Sequence, residues 1–84
     1  MKIKANLALS ESGFMFDPET GDSYSLNTTG KDIINQIKQG IAVEEIRKNL
    51  LKKYDVDNDT FEMNFYDFIG MLKLHNIIEQ DGEN

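Results

Sequence analysis

The hydrophobic pattern of this chain changes its period once, near Asn27. Before that point, residues 3–9 alternate between apolar and polar positions, as a half-buried β-strand does. Two short apolar runs, at residues 13–16 and 23–26, follow polar turns, and the turn between them contains a proline and a glycine that favour chain reversal. The first third of the chain therefore predicts three short antiparallel strands.

After Asn27 the apolar residues recur with the period of an α-helix, in three blocks. The first block begins at a cap, either Asn27 or Thr28, and ends at Gly40, because glycine readily adopts the left-handed conformation of a helix end. The second spans residues 43–54, with acidic residues early and basic residues late, as the helix dipole favours. Gly30 lies inside the first helical turn, where glycine lowers helix stability, and this indicates close packing against a neighbouring element.

The third block predicts a helix that begins after Asp59 or Thr60 and ends near His75. Asp59 and Glu62 have the spacing of a capping box at its start, and residues 77–78 then form a short extended end. The whole pattern predicts an α+β fold in which a three-stranded antiparallel sheet is followed by three helices.

The third helix is apolar on two sides rather than one. One stripe consists of Phe61, Phe65, Phe68 and Leu72. The second, roughly opposite, consists of Met63, Tyr66, Gly70 and Leu74. The first stripe belongs to an expected core made of Leu26, Ile33, Ile37, Ile46, Leu50, Phe61, Phe65, Phe68 and Leu72. The second needs another partner, and a binding surface is the leading explanation. The alternative is contact with the chain's own sheet or with a second copy, which leaves a homodimer open.

Composition restricts the class of protein. A chain of 84 residues without cysteine is expected to form one domain, residues 1–84, that is held by packing alone and fits a cytoplasmic protein. The net charge of −6 repels phosphate backbones, so nucleic acid is not expected as a partner. No apolar run approaches the roughly 20 residues that span a bilayer, and the amino terminus is too polar for a signal peptide, so no membrane partner is expected either.

The residues do not assemble into a catalytic or metal site. Residues 55–59 imitate the start of a calcium-binding loop, but Thr60 stands where that loop needs Gly and Tyr66 stands where a bidentate Glu should follow. His75 is the only imidazole and has no second His or Cys beside it, so an interaction with the end of the third helix is expected. We therefore expect no enzyme activity, no metal and no cofactor.

Several short segments, taken together, resemble a known family. A Tyr-x-Leu-Asn-x-Thr-Gly passage at residues 24–30 precedes the first helix. Matching positions continue along nearly the whole chain at Ile33, residues 43–46, residues 54–57, Phe68, Leu72 and residues 77–78. These features are similar to those of the pyrroloquinoline quinone synthesis protein D (PqqD-like) family.

The resemblance implies a winged-helix-like fold and the role of a RiPP recognition element. Such proteins act as peptide chaperones: they bind the leader part of a ribosomally synthesised precursor peptide and present its core to a modifying enzyme. In PQQ-type biosynthesis and related pathways that enzyme is commonly a radical S-adenosylmethionine enzyme. Members of the wider family bind the leader as an added strand.

Carried onto this chain, the resemblance places the leader between the third strand and the third helix. The strand would supply backbone hydrogen bonds, and the second helical stripe would supply adaptable apolar contacts, since methionine fits varied side chains. The edge of the Phe stripe is the alternative wall. The predicted peptide-binding residues are Tyr24, Ser25, Leu26, Met63, Tyr66, Gly70 and Leu74.

Two other classes share part of this description. A small winged-helix DNA-binding or regulatory protein has the same helical order, but its recognition helix should carry several basic residues, and residues 60–76 contain only Lys73. An acidic carrier protein has a similar size and charge. Its attachment serine would have to be Ser23, which falls in a predicted strand rather than at a helix start.

Overall fold

The computed structural model describes residues 2–79 of the chain. In chain order its elements are β1 (Lys2–Ile3), β2 (Ala8–Leu9), β3 (Phe14–Phe16), β4 (Ser23–Ser25), α1 (Thr28–Lys38), α2 (Val43–Lys53), α3 (Asn58–Leu74) and β5 (Ile78–Glu79). Strands β2, β3 and β4 form an antiparallel sheet in that order, and the three helices follow it. The predicted α+β fold is confirmed.

The predicted first strand, residues 3–9, is divided into two pieces with different partners. Strand β1 pairs antiparallel with β5, with Ile3 opposite Ile78, and the N–H of Lys4 donates to the carbonyl of Ile77 at 2.8 Å. Strand β2 pairs instead with β3. The prediction of one continuous strand was wrong, because apolar alternation shows which side chains turn inward but not which strand lies alongside. The short extended end after α3 is confirmed, and it takes β1 as its partner.

The three-stranded sheet has a buried face and an exposed face. Met15 is fully buried opposite the half-buried Tyr24, whereas Phe14 and Phe16 are exposed on the other face. The turn between β3 and β4 contains Gly21 with a positive φ of 80°, as its sequence predicts. Because β3 lies between β2 and β4, one edge of β4 pairs with no other described strand.

The ends of α1 follow the predicted signals. Asn27 is the amino-terminal cap, and its side chain accepts a hydrogen bond from the N–H of Gly30 at 2.8 Å. After α1, Gly40 adopts a positive φ of 82°, which turns the chain toward α2. Within residues 2–79, no helix has both the length and the apolar character that a membrane crossing requires.

Helix α3 begins earlier than predicted. Asp57 is its cap, and its carboxylate accepts a hydrogen bond from the N–H of Thr60 at 2.9 Å. The predicted capping box of Asp59 and Glu62 was therefore wrong. Glu62 pairs instead with Arg47 of α2 at 2.9 Å, so a long-range contact takes the side chain that the local pattern assigned to the cap.

The core lies between the helices and the inner face of the sheets. Seven of the nine predicted core residues are buried, and Leu26 and Phe68 are partly buried at its edge. The structure adds five buried residues to the prediction: Met15, Ile34, Ile69, Ile77 and Ile78. Leu26 and Phe68 are only partly buried because both border an open groove.

Candidate functional site

Strand β4 forms one of the two edges of the three-stranded sheet, and its hydrogen-bond pattern fixes which backbone groups face outward. The N–H of Leu26 donates to the carbonyl of Gly13 at 2.8 Å, and the N–H of Asp17 donates to the carbonyl of Asp22 at 2.9 Å. In an antiparallel ladder, hydrogen-bonded and non-hydrogen-bonded pairs alternate. Tyr24, midway between these two pairs, therefore directs its backbone groups toward β3.

The residues on either side of Tyr24 direct their backbone groups the other way. Ser23 and Ser25 occupy non-hydrogen-bonded positions opposite β3, so their N–H and C=O groups point to the open edge. Of the three strand residues predicted to bind the peptide, only Ser25 presents its backbone groups to the open edge. Ser23, which was not predicted, does so as well. Tyr24 and Leu26 contribute side chains, which are half-buried beneath the strand.

An apolar groove separates the open edge of β4 from α3. We call it the β4–α3 groove. Its outer part, a cavity of about 330 Å³, is lined by Tyr24, Ser25, Leu26, Asn27, Phe68 and Met71. Phe68 and Met71 lie one turn apart on α3, so the helix presents a continuous apolar wall to the strand.

The inner part of the β4–α3 groove is a second cavity of about 310 Å³ beside α1. It shares Asn27 and Phe68 with the outer part, so the two cavities are adjacent. Its remaining lining residues are Thr29, Gly30, Ile33, Val56, Thr60, Phe61, Asn64 and Phe65. The floor is apolar and aromatic, and the amides of Asn27 and Asn64 add polar groups. A cavity of this kind suits an apolar side chain with one polar atom.

Near one end of the groove, Tyr24 contacts the helix terminus. The ring of His75, the residue that ends α3, meets the Tyr24 ring edge to face, with ring centroids 5.7 Å apart. Burial raises the pKa of Tyr24 above its ordinary value of 10.0. Tyr24 lines the outer cavity, and His75, which packs against it, has the helix-end position that its sequence predicts.

The second stripe of α3 does not face β4. The hydroxyl of Tyr66 donates to the Glu44 carboxylate of α2 at 3.1 Å, and Arg47 bonds the same carboxylate at 3.1 Å. The Tyr66 hydrogen bond, followed by Arg47, lowers the pKa of Glu44 below its ordinary value of 4.5. Met63 and Leu74 are 60% and 77% exposed. The second stripe thus lies on the solvent side of α3, where Tyr66 contacts α2.

The structure therefore brings together the predicted strand residues but places the predicted helix residues elsewhere. Tyr24, Ser25 and Leu26 line the groove. Met63, Tyr66, Gly70 and Leu74 are outside both of its cavities. The helical wall is the edge of the Phe stripe, the alternative left open by the sequence. Its signal is a boundary row at helical spacing, in which apolar and polar residues mix: Asn64, Phe68 and Met71.

The acidic turn before α3 provides the amino-terminal cap of that helix. The Asp57 carboxylate is held by the backbone N–H of Thr60, and this hydrogen bond lowers the pKa of Asp57 below its ordinary value of 3.8. Within residues 2–79, no three His, Cys, Asp or Glu side chains are grouped so as to hold a metal ion. The arrangement offers a groove and an open strand edge for binding.

Comparison with known proteins gives one family and two structures. Residues 13–78 match the family described as coenzyme PQQ synthesis protein D (PqqD). The structure of TbiB1 in complex with the TbiA(beta) leader peptide is similar with a TM-score of 0.81 and 26% identity, covering 99% of this chain and 100% of that one. Lasso peptide synthetase B1 complexed with the leader peptide is similar with a TM-score of 0.68 and 21% identity, covering 88% and 86%. No curated protein sequence matches the chain.

Proposed function

The chain belongs to the PqqD family, and from that premise we propose that it is a binding module for the leader of a ribosomally synthesised precursor peptide. The observation that carries the proposal is the open edge of β4 beside an apolar groove made of two adjacent cavities. TbiB1 has a similar fold over nearly the whole of this chain, and its structure is that of a complex with a leader peptide. The role we propose is recognition without catalysis.

In this proposal the leader adds a strand to β4. The outward N–H and C=O groups of Ser23 and Ser25 offer up to four backbone hydrogen bonds to an extended peptide. Alternate side chains of a strand point to the same face, about 7 Å apart, so successive inward side chains reach the outer and inner parts of the groove in turn. The backbone contributes hydrogen bonds common to any sequence, and the cavities contribute selectivity.

For the helical wall we propose Phe68 and Met71, supported by their position opposite β4. Both are partly buried and adaptable contacts, and Met71 in particular suits varied peptide side chains. The sequence predicts peptide binding by the second stripe, Met63, Tyr66, Gly70 and Leu74. That prediction is untested, and we propose the Phe68–Met71 wall in its place. A contact with the modifying enzyme, or with a second copy of the chain, is the other use we propose for that surface.

The partner enzyme is proposed by class. The family resemblance favours a radical S-adenosylmethionine enzyme, whereas similarity to a lasso peptide synthetase B1 favours a lasso peptide pathway. Leader binding is common to both, and we propose a cytoplasmic location because ribosomal precursor peptides are made there. The winged-helix DNA-binding alternative is disfavoured, because α3 carries a single basic residue, Lys73.

Titration with a leader peptide tests the proposal. A gene for a short precursor peptide beside this one would identify the leader, and fluorescence anisotropy of the labelled peptide would measure its affinity. We expect Met71→Asp to weaken binding about tenfold or more, because it places a charge in a contact that loses water on association. Leu74→Asp, three residues away on the exposed stripe, is the matched variant and should bind normally. If Leu74→Asp weakened binding more than Met71→Asp, the second stripe rather than Phe68 and Met71 would be favoured as the peptide-binding wall.

Amide resonances test strand addition independently of the variants. On adding the leader, the N–H signals of Ser23 and Ser25 should shift together with those of Phe68 and Met71. Shifts confined to the turns around Asp17 or Asp57 would contradict strand addition.

A further inference from the structure

The groove carries no charge on its lining but has carboxylates around it. Neither of its two cavities is lined by a described Lys, Arg, Asp or Glu. Val56, which lines the inner cavity, lies between Asp55 and Asp57 in the chain. Asp67 is exposed on α3, one turn from the groove-lining Asn64. Among residues 2–79, these three carboxylates form no ion pair.

The helix dipole does not cancel this charge. The amino terminus of α3 is equivalent to about half a positive charge, whereas Asp55, Asp57 and Asp59 surround it with three carboxylates. Asp57 stays ionised at neutral pH because its cap hydrogen bond lowers its pKa. The inner end of the groove is therefore an acidic region facing solvent.

The lysines nearest the sheet lie on a different side of α1. Lys31 and Lys38, two turns apart, line a cleft toward β2, and Lys2, Lys4 and Lys38 line another toward β1. Gly30 and Ile33, in contrast, line the groove from the other flank of the same helix. The lysines of these two clefts thus lie on the opposite flank of α1 from the groove.

Resting on the proposed leader-binding role, we infer that the β4–α3 groove selects a leader segment in which Lys or Arg flanks the apolar anchor residues, and that it disfavours acidic segments. Charge complementarity across a rim contributes modestly to affinity, but it steers association and excludes like-charged partners. The apolar floor supplies most of the affinity. The carboxylates make the groove prefer apolar peptides with basic flanking residues over those with acidic ones. The effect weakens with salt, because the rim is exposed.

A displayed library of random twelve-residue peptides tests this inference without knowledge of the natural leader. The library would be selected against three forms of the full chain: the wild type, a groove variant with Asp55→Asn and Asp67→Asn, and a control variant with Glu11→Gln and Glu45→Gln. The two variants change the net charge equally, so general attraction of basic peptides to an acidic protein is matched between them. Asp57 is left unchanged because it caps α3.

The expected result is a ratio of basic to acidic residues in wild-type binders about three- to tenfold above that of the starting library. The control variant should retain that ratio, and the groove variant should lose most of it while still selecting apolar peptides. Equal ratios for the groove variant and the wild type would overturn the inference. So would wild-type binders with no basic preference.

A failure of the proposed leader-binding site would give a different result from a failure of the charge selectivity. If the selected peptides bind Met71→Asp as well as the wild type, they do not occupy the groove, and the leader-binding site is wrong whatever their charge. If they lose affinity for Met71→Asp but show no basic preference, the site stands and the charge selectivity alone is rejected.

Discussion

Gly30 of α1 lies directly against the ring of Phe68 of α3. A Cβ atom built on Gly30 would be 3.3 Å from Cζ of Phe68 and 3.2 Å from the cap oxygen of Asn27. Ordinary carbon contacts are longer, so a side chain here would displace the ring, the cap or both. The predicted close packing of Gly30 is confirmed, and the contact fixes the width of the groove, because all three residues line its inner cavity.

Replacing Gly30 with Ala should affect binding more than stability. Alanine raises helix propensity by up to about 1 kcal/mol, but it strains the Asn27 cap, whose loss costs a similar amount. We expect the free energy of unfolding, measured by urea denaturation, to change by less than about 1 kcal/mol. Leader affinity should fall, because the Phe68 ring moves into the inner cavity.

Gly70→Ala is the matched control, since a Cβ at that exposed position of α3 would meet nothing within 4 Å beyond its chain neighbours and the backbone of its own helix. It should raise the free energy of unfolding by up to about 1 kcal/mol and leave leader affinity unchanged. Weaker binding by this variant would instead favour the second stripe as the peptide-binding wall.

Two methionines should respond oppositely to truncation. Met15 of β3 is fully buried, whereas Met63 of α3 is 60% exposed. Met15→Ala leaves a cavity in the core and should lower the free energy of unfolding by about 2–5 kcal/mol. Met63→Ala should change it by less than about 0.5 kcal/mol. Denaturant titration of both variants measures this, and equal effects would contradict the packing of β3 on the helices.

The ion pair between Lys4 and Asp17 should make stability depend on pH at both extremes. Their atoms Nζ and Oδ2 are 2.8 Å apart, and Asp17 is buried. The Lys4 hydrogen bond lowers the pKa of Asp17 below 3.8, so its contribution is present above that value and is lost as pH falls through the folded-state pKa. The Asp17 hydrogen bond raises the pKa of Lys4 above 10.5, so its contribution is present below that value and is lost as pH rises through the folded-state pKa.

Asp17→Asn should therefore lower the melting temperature at neutral pH by several degrees, because it leaves the lysine poorly paired. The difference from the wild type should shrink as pH falls through the lowered pKa of Asp17 and again as pH rises through the raised pKa of Lys4. Asp22→Asn, in the same turn but exposed, is the control and should melt like the wild type. A constant difference at all pH values would mean that Asp17 acts through its turn geometry rather than its charge.

Calcium should not bind the acidic turn before α3. The Asp57 carboxylate is engaged by the N–H of Thr60, and the chain has Tyr66 where a closing Glu is required. Calorimetric titration should give no saturable heat in the micromolar range. Asp57→Ala should instead lower the melting temperature by removing the cap. A saturable calcium signal that this variant abolishes would overturn the assignment.

The sequence determined the elements and their inner faces. Apolar periodicity separates buried from exposed positions along each helix, so Ile33, Ile46 and Phe65 could be assigned to the core without knowing their neighbours. Caps and turn glycines act over a few residues, and for that reason Asn27 and Gly40 were predicted correctly. The passage at residues 24–30 also located the strand that borders the groove.

Only the tertiary structure decided which flank of α3 faces β4. Periodicity distinguishes core from solvent, but a helix has two flanks beside its buried face, and their neighbours depend on how the elements pack. Here Phe68 and Met71 lie toward β4, while Tyr66 lies toward α2 and bonds Glu44. The α3 wall of the β4–α3 groove is therefore a boundary between core and solvent, which a search for a second apolar stripe does not find.

The same limit applies to the backbone of β4. The sequence predicts an extended segment, but its register against β3 decides that Ser23 and Ser25, rather than Tyr24, present their hydrogen-bonding groups outward. Register is a property of two paired strands, and it is set jointly by the turn and by the burial of Met15 opposite Tyr24. The local sequence pattern thus determined the secondary structure of each segment, and long-range packing determined which of its groups face outward.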